Sequence, residues 1–284
     1  FYNGVDAESM SQREQAEKIG FVMQDPENGI VCDKVWHELA FGLESLGYSQ
    51  SEISARVAEM ASFFGISNYF YKDVKDLSGG QKQLLNLAAV MTLQPSVLIL
   101  DEPTSRLDPI AAYEFCQTLA RINREFGTTI IISEHRFEEV LPISDRVVVM
   151  DKGRIIAIDT PDKIGYGLLK ENNPMFNAMP PNFKVFYSIN DGKEQRAPVT
   201  VKDAREWLSD EMQRRNMNRV SINKSDDSLE DNSSPVIEAK GVWFRYTQSG
   251  ADVLRDLSFK VKRGEFYAIL GGNGAGKSPA HQGG

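Results

Sequence analysis

Two short runs constrain this chain most. They are "SVLILDE" at 96–102 and "TTIIIS" at 128–133. A strand with one face in water alternates apolar and polar residues. These runs are apolar along their length, as expected of strands buried between helix layers. Helix-like segments lie between and around them. Strands alternating with helices imply an α/β fold with a mostly parallel sheet.

Other segments fit that frame. "KIGFVMQ" reads as a short strand ending at Gln24. In "SQSEISARVAEMASFFGI", Ile53, Val57, Met60 and Phe64 recur at helical spacing. "GQKQLLNLAAVMTLQ" reads as a helix that stops near Pro95. "RVVVMDKGRIIAID" reads as a hairpin turned at Lys152-Gly153. Residues 1–164 therefore form the expected first domain, and 165–220 an extension of it. Within that extension, "VKDAREWLSDEMQRRN" has the pattern of a surface helix. Residues 221–235 are polar and acidic and read as a solvated linker. From Val236 the composition is globular again. "VIEAKGVWFRY", "LRDLSFKV" and "EFYAIL" are strand-like, and a glycine loop follows.

That loop carries the sharpest chemistry. Gly271-x-x-x-x-Gly276-Lys277-Ser278 places glycines where backbone N–H groups must curl around phosphate oxygens. Lys277 is suited to bridge β- and γ-phosphates, and the Ser278 hydroxyl to help hold Mg²⁺. Asp101 and Glu102 close the first apolar strand, where ligand sites of α/β sheets form. Asp101 suits the Mg²⁺ shell, and Glu102 suits a base that orients a water. Ser78 is a natural N-cap, followed by Gly79, Gly80 and Gln81, so the helix start at "LSGGQ" can meet an anion. His135 follows the second apolar strand. The other histidines, His37 and His281, carry no such context.

Composition excludes other classes. A net charge of −8 leaves no general basic surface for nucleic acid. Apolar runs fall far short of the ~20 residues of a membrane-spanning helix. Cys32 and Cys116 form no metal or redox spacing.

Taken in order, Gln24, "LSGGQ", "VLILDEPTSRLD" and "SEH" resemble the ATP-binding subunits of ABC transporters. The resemblance covers 1 to about 164, and 236–278. It implies a P-loop NTPase fold of ABC ATPase type, with helices on both faces of the sheet, an antiparallel β part and a helical signature subdomain. It makes Gln24 the Q-loop glutamine, which touches Mg²⁺. Ser78, Gly79, Gly80 and Gln81 become the signature that meets ATP held by an opposite domain. Asp101 and Glu102 become the Walker B acids, Asp108 the D-loop aspartate and His135 the switch histidine. Tyr246 would stack on adenine, and Gly271, Asn273, Gly274, Gly276, Lys277 and Ser278 would hold the phosphates as Walker A. The implied cofactors are ATP and Mg²⁺.

"MQDPENGIVCDKVWHELAFGLESLG" further resembles the energy-coupling-factor group, which imports cobalt, nickel and vitamins and includes tandem ATPases. That implies a transmembrane partner contacting residues 25–47, a second ABC ATPase domain, and a place at the cytoplasmic face of the membrane. The motif order implies a tandem protein truncated at both ends: the first half lacks its own Walker A, and 236–284 begins a second domain. Two other readings stay open, a non-catalytic interaction module and a soluble, non-transport ABC ATPase.

Overall fold

The computed structural model describes residues 1–191, 196–216, 235–246, 250, 252–273 and 275–277. The chain divides into two compact units, Phe1–Met217 and Asn218–Gly284.

In the first unit the helices begin where side chains can satisfy their free N–H groups. Ser11 opens α1 (Gln12–Lys18) with a capping box to Glu14. Strand β1 (Ile19–Val22) follows directly. After α2 (Val35–Ser45), Ser49 and Glu52 form the same box at α3 (Gln50–Phe63), and Ser78 and Gln81 at α4 (Gly79–Met91). Strand β2 spans Val97–Asp101. Helix α5 (Pro109–Phe126) has Pro109 in its first turn and ends at Gly127, whose φ of 68° suits the left-handed stop. Strand β3 (Thr129–Ser133) and the short α6 (Phe137–Val140) come next.

The sheet order is β1-β2-β3, all parallel. Its register puts Phe21 beside Ile99, and Ile99 beside Ile131. One face packs well: Val22, Leu98 and Leu100 are buried with Leu39, Leu85, Met91, Leu119 and Ile122 of the helices. Helix α4 comes so close that a Cβ on Gly20 would collide with Val90, Leu98 and Pro95. As expected, Ile53, Val57, Met60 and Phe64 form the buried stripe of α3 and its cap.

Three expectations need correction. The strand before Gln24 ends at Val22, and the helix expected to reach Pro95 ends at Met91. Thr92 N–H still bonds to Ala88, after which Gln94 turns left-handed with φ 54° to enter β2. Strand β3 is not buried on both faces: Ile131 is 56% exposed, and Phe21 in the same row is 50% exposed. The helices that bury Leu98 and Leu100 lie on the opposite face, since successive side chains of a strand alternate.

Beyond β3, β4 (Val147–Asp151) and β5 (Arg154–Asp159) form an antiparallel hairpin. Lys152 and Gly153, at φ 47° and 75°, supply the two left-handed residues of its turn, as expected. Helices α7 (Pro161–Lys170), α8 (Pro181–Ile189) and α9 (Val201–Arg214) complete this unit. A second core joins Phe137, Leu141, Val149, Ile164, Leu168, Phe183, Phe186 and Tyr187. Residues 164 and 165 are both inside α7 and both buried. Helix α9 lies on the surface, with only Glu211 buried.

In the second unit, β6 (Ile237–Phe244) pairs antiparallel with β7 (Leu254–Val261). The expected third strand, "EFYAIL", is not one. Among the described residues that sheet has only β6 and β7, and Phe266 and Leu270 are 97% and 89% exposed. An extended segment becomes a strand only when a neighbour takes its backbone hydrogen bonds. The linker expected at 221–235 lies outside the described residues apart from Pro235.

Candidate functional site

The parallel register ends β2 and β3 together, with Asp101 beside Ser133. The residues just beyond those ends therefore converge. His135 Nε2 lies 2.6 Å from Glu102 Oε1. Gln24, beyond the end of β1, donates its Nε2 to the other oxygen, Glu102 Oε2, at 3.0 Å. Three residues singled out from sequence thus meet on one carboxylate. The Glu102 side chain is 27% exposed and that of His135 80%, so the group opens to solvent.

Glu102 reaches this position through an unusual backbone. Its φ is +40°, in the left-handed region that costs a non-glycine residue energy. Ser133 holds it there. The Glu102 N–H donates to the Ser133 carbonyl at 3.1 Å and to Ser133 Oγ at 3.2 Å. Ser133 Oγ donates in turn to Asp101 Oδ1 at 2.7 Å. Ser133 opens the "SEH" run, but sequence reading assigns a role there only to His135. Only its register position against Asp101 marks it, and that follows once both strands are taken as parallel neighbours.

Ser78 caps α4 as expected: Gln81 N–H donates to Ser78 Oγ at 3.3 Å, and Ser78 N–H donates to Gln81 Oε1 at 3.0 Å. A Cβ on Gly79 would meet nothing within 4 Å, so this helix start is accessible. Gly80 faces Ala111 of α5 instead, where an added Cβ would sit 3.4 Å away. Asp108 caps α5, accepting from the N–H groups of Ile110 and Ala111 at 3.0 and 2.9 Å.

A small cavity of about 150 Å³ connects these parts, lined by Gln24, Asp25, Gly79, Lys82, Gln83 and Arg106 among others. Arg106 pairs with Asp25 at 2.7 Å, and Lys82 pairs with Glu27. The stretch after Gln24 is therefore tied both to the turn after β2 and to the first turn of α4. Sequence reading missed these ion pairs, because nothing in a sequence says which opposite charge a charged residue will meet in the fold.

In the second unit Lys277 Nζ donates to the carbonyls of Gly271 and Gly272 at 2.7 and 2.6 Å, so the loop curls around its own ammonium. Gly276 has φ +81°, and a Cβ there would lie 2.9 Å from Leu254 Cδ2 and 3.0 Å from the Val253 carbonyl. Tyr246 is 70% exposed and stands edge-on to Phe244 at 5.1 Å. Asn273 lies in the described part of the loop; Gly274 and Ser278 lie outside the described residues.

Comparison with known proteins identifies the family. The ABC transporter family model matches residues 1–105. A putative ABC transporter ATP-binding protein of Bacillus thuringiensis subsp. konkukian is 38% identical over 280 residues, covering 98% of this chain and 49% of the relative. An energy-coupling factor transporter ATP-binding protein, EcfA2, of Methanospirillum hungatei is 40% identical over 153 residues, covering 54% of this chain and 38% of the relative. The structure of cbiO1 from Clostridium perfringens, described as part of the ABC transporter complex cbiONQ, superposes with a TM-score of 0.52 at 31% identity. It covers 63% of this chain and 71% of that one. The chain spans about half the length of the Bacillus relative. With its parallel sheet, antiparallel strands and motif order, the chain belongs to the ATP-binding proteins of the ABC transporter family.

Proposed function

We propose that this chain is the ATP-hydrolysing motor of an importer of the energy-coupling-factor type, with a vitamin or metal ion as cargo. The observation that carries the reading is Glu102, held between Gln24 and His135 at the end of β2. A carboxylate fixed at both oxygens is suited to orient a water and take its proton, with His135 beside it to steady the group. The names EcfA2 and cbiO1 support the importer type.

The residues present fit Mg²⁺-ATP. Among the described residues no cluster of three or more acidic, histidine or cysteine groups could hold a metal alone. Mg²⁺ in nucleotide sites is usually held by one or two carboxylates together with substrate phosphates and water. In the first unit Asp101 and Gln24 are the proposed Mg²⁺ ligands, and in the second unit, separately, Ser278 of the glycine loop; bound, the ion supplies positive charge opposite the phosphates. Gly271, Asn273, Gly274, Gly276 and Lys277 would cradle the phosphates, and Tyr246 would stack on the base. Ser78, Gly79, Gly80 and Gln81, with Asp108, would face ATP held by a second ABC ATPase domain.

The partner in the membrane would meet residues 25–47. Val31, Trp36 and Phe41 there are 62%, 40% and 43% exposed, apolar side chains before and on α2. No helix among the described residues is long and apolar enough to cross a membrane. In this reading the chain sits peripherally at the cytoplasmic face.

The test is Mg²⁺-dependent phosphate release, with Glu102→Gln as control. Release lost in the variant while ATP still binds supports the reading. Equal release from both proteins sinks it.

A further inference from the structure

We infer that Glu134 is a positioning residue for this site: its carboxylate holds the turn after β2 and thereby sets where Glu102 points. The inference rests on the ATPase reading above. The Thr104 N–H donates to Glu134 Oε1 at 2.9 Å, across from the neighbouring strand end. Thr104 is 1% exposed, so water is a poor substitute for that acceptor. The turn is then closed by Ser105 N–H to the Glu102 carbonyl at 3.1 Å and by Leu107 N–H to the Thr104 carbonyl at 3.0 Å.

The consequence lies in the backbone of Glu102. A left-handed glutamate persists only where its surroundings over-determine it. Ser133 grips its N–H from one side. Glu134 grips the chain two residues further on. Three consecutive residues, Ser133, Glu134 and His135, thus hold Glu102 by its N–H, by the turn behind it and by its carboxylate. Nothing in this geometry requires Glu134 to be charged. It needs one acceptor oxygen at full side-chain reach.

Glu134→Gln keeps that oxygen, Glu134→Ala removes it, and Glu134→Asp keeps the charge but shortens the reach. Backbone amide exchange at Glu102 and Thr104 is measured first. Alanine and aspartate are expected to speed exchange at both amides about tenfold or more, and glutamine to leave them within about twofold of the parent. In steady-state hydrolysis, alanine and aspartate are expected to lower kcat about tenfold with KM within about twofold, and glutamine to restore kcat. Unchanged exchange at Glu102 in the aspartate variant overturns the inference, as does glutamine behaving like alanine. Parent protein that shows no hydrolysis defeats the ATPase reading instead, and the exchange measurement still decides the role of Glu134.

Discussion

Glu102 and His135 come from the ends of adjacent parallel strands and meet at 2.6 Å, with Gln24 on the opposite carboxylate oxygen. Each strand contributes one residue to this group, so a single substitution at Gln24 or His135 removes one of the two contacts on the Glu102 carboxylate. His135→Ala is expected to lower the hydrolysis rate about 10²-fold while ATP affinity stays within a few-fold. Calorimetric binding alongside steady-state kinetics separates the two effects, and a matching loss of affinity would count against the assignment.

The glycine loop proposed to cradle phosphates makes a separate prediction. Gly276 is left-handed and sits against Leu254 and the Val253 carbonyl, with no room for a methyl group. Gly276→Ala is expected to abolish ATP binding as fully as Lys277→Ala. Titration of both variants with a fluorescent ATP analogue checks this, and wild-type affinity in the alanine variant would show that the loop is not the phosphate site.

Gly165 predicts a stability effect far from the chemistry. A Cβ there would lie 2.9 Å from both Phe183 and Tyr187 and 3.4 Å from Met179, all in the second core. Alanine gains about 1 kcal/mol in helix propensity, but overpacking a closed core costs about 1–3 kcal/mol. Gly165→Ala is therefore expected to lower the urea midpoint, most clearly for probes in α7 and α8.

Alkaline pH should loosen the second core at Tyr187 and helix α5 at Cys116. Burial pushes Tyr187 up to about 12 from 10.0 and Cys116 up to about 12 from 9.0. Both groups hold their protons more tightly when folded. The stability they contribute is complete below pH 9 and is lost as pH rises towards 12. Urea midpoints at pH 8 and pH 11 should differ less in Tyr187→Phe, which has no phenol to ionise, than in the parent.

Much of this arrangement was legible in the sequence. Motif spacing placed Gln24, Glu102 and His135 at strand ends, and a parallel sheet with those strands adjacent brings such ends together. The cap at Ser78 and the turn at Lys152-Gly153 follow from local rules that need no tertiary context. What sequence could not give depends on neighbours. "TTIIIS" is apolar throughout, yet cover on each face is decided by other elements, and Ile131 has little. "EFYAIL" has strand composition without strand pairing. The contacts of Ser133 with Asp101 and of Glu134 with the Thr104 N–H depend on strand register, which no pattern of side-chain types reveals.

The row Phe21, Ile99 and Ile131 has a colloidal consequence. It is a partly bare apolar stripe on a chain whose formal charge is −8. Near neutral pH that charge keeps copies apart. Close to pH 5.1 the repulsion vanishes and the stripe becomes adhesive. Salt has a similar effect at any pH, because it shortens the range over which like charges repel. The carboxylates of the chain thus oppose the association that exposed apolar side chains such as Phe21 and Ile131 favour.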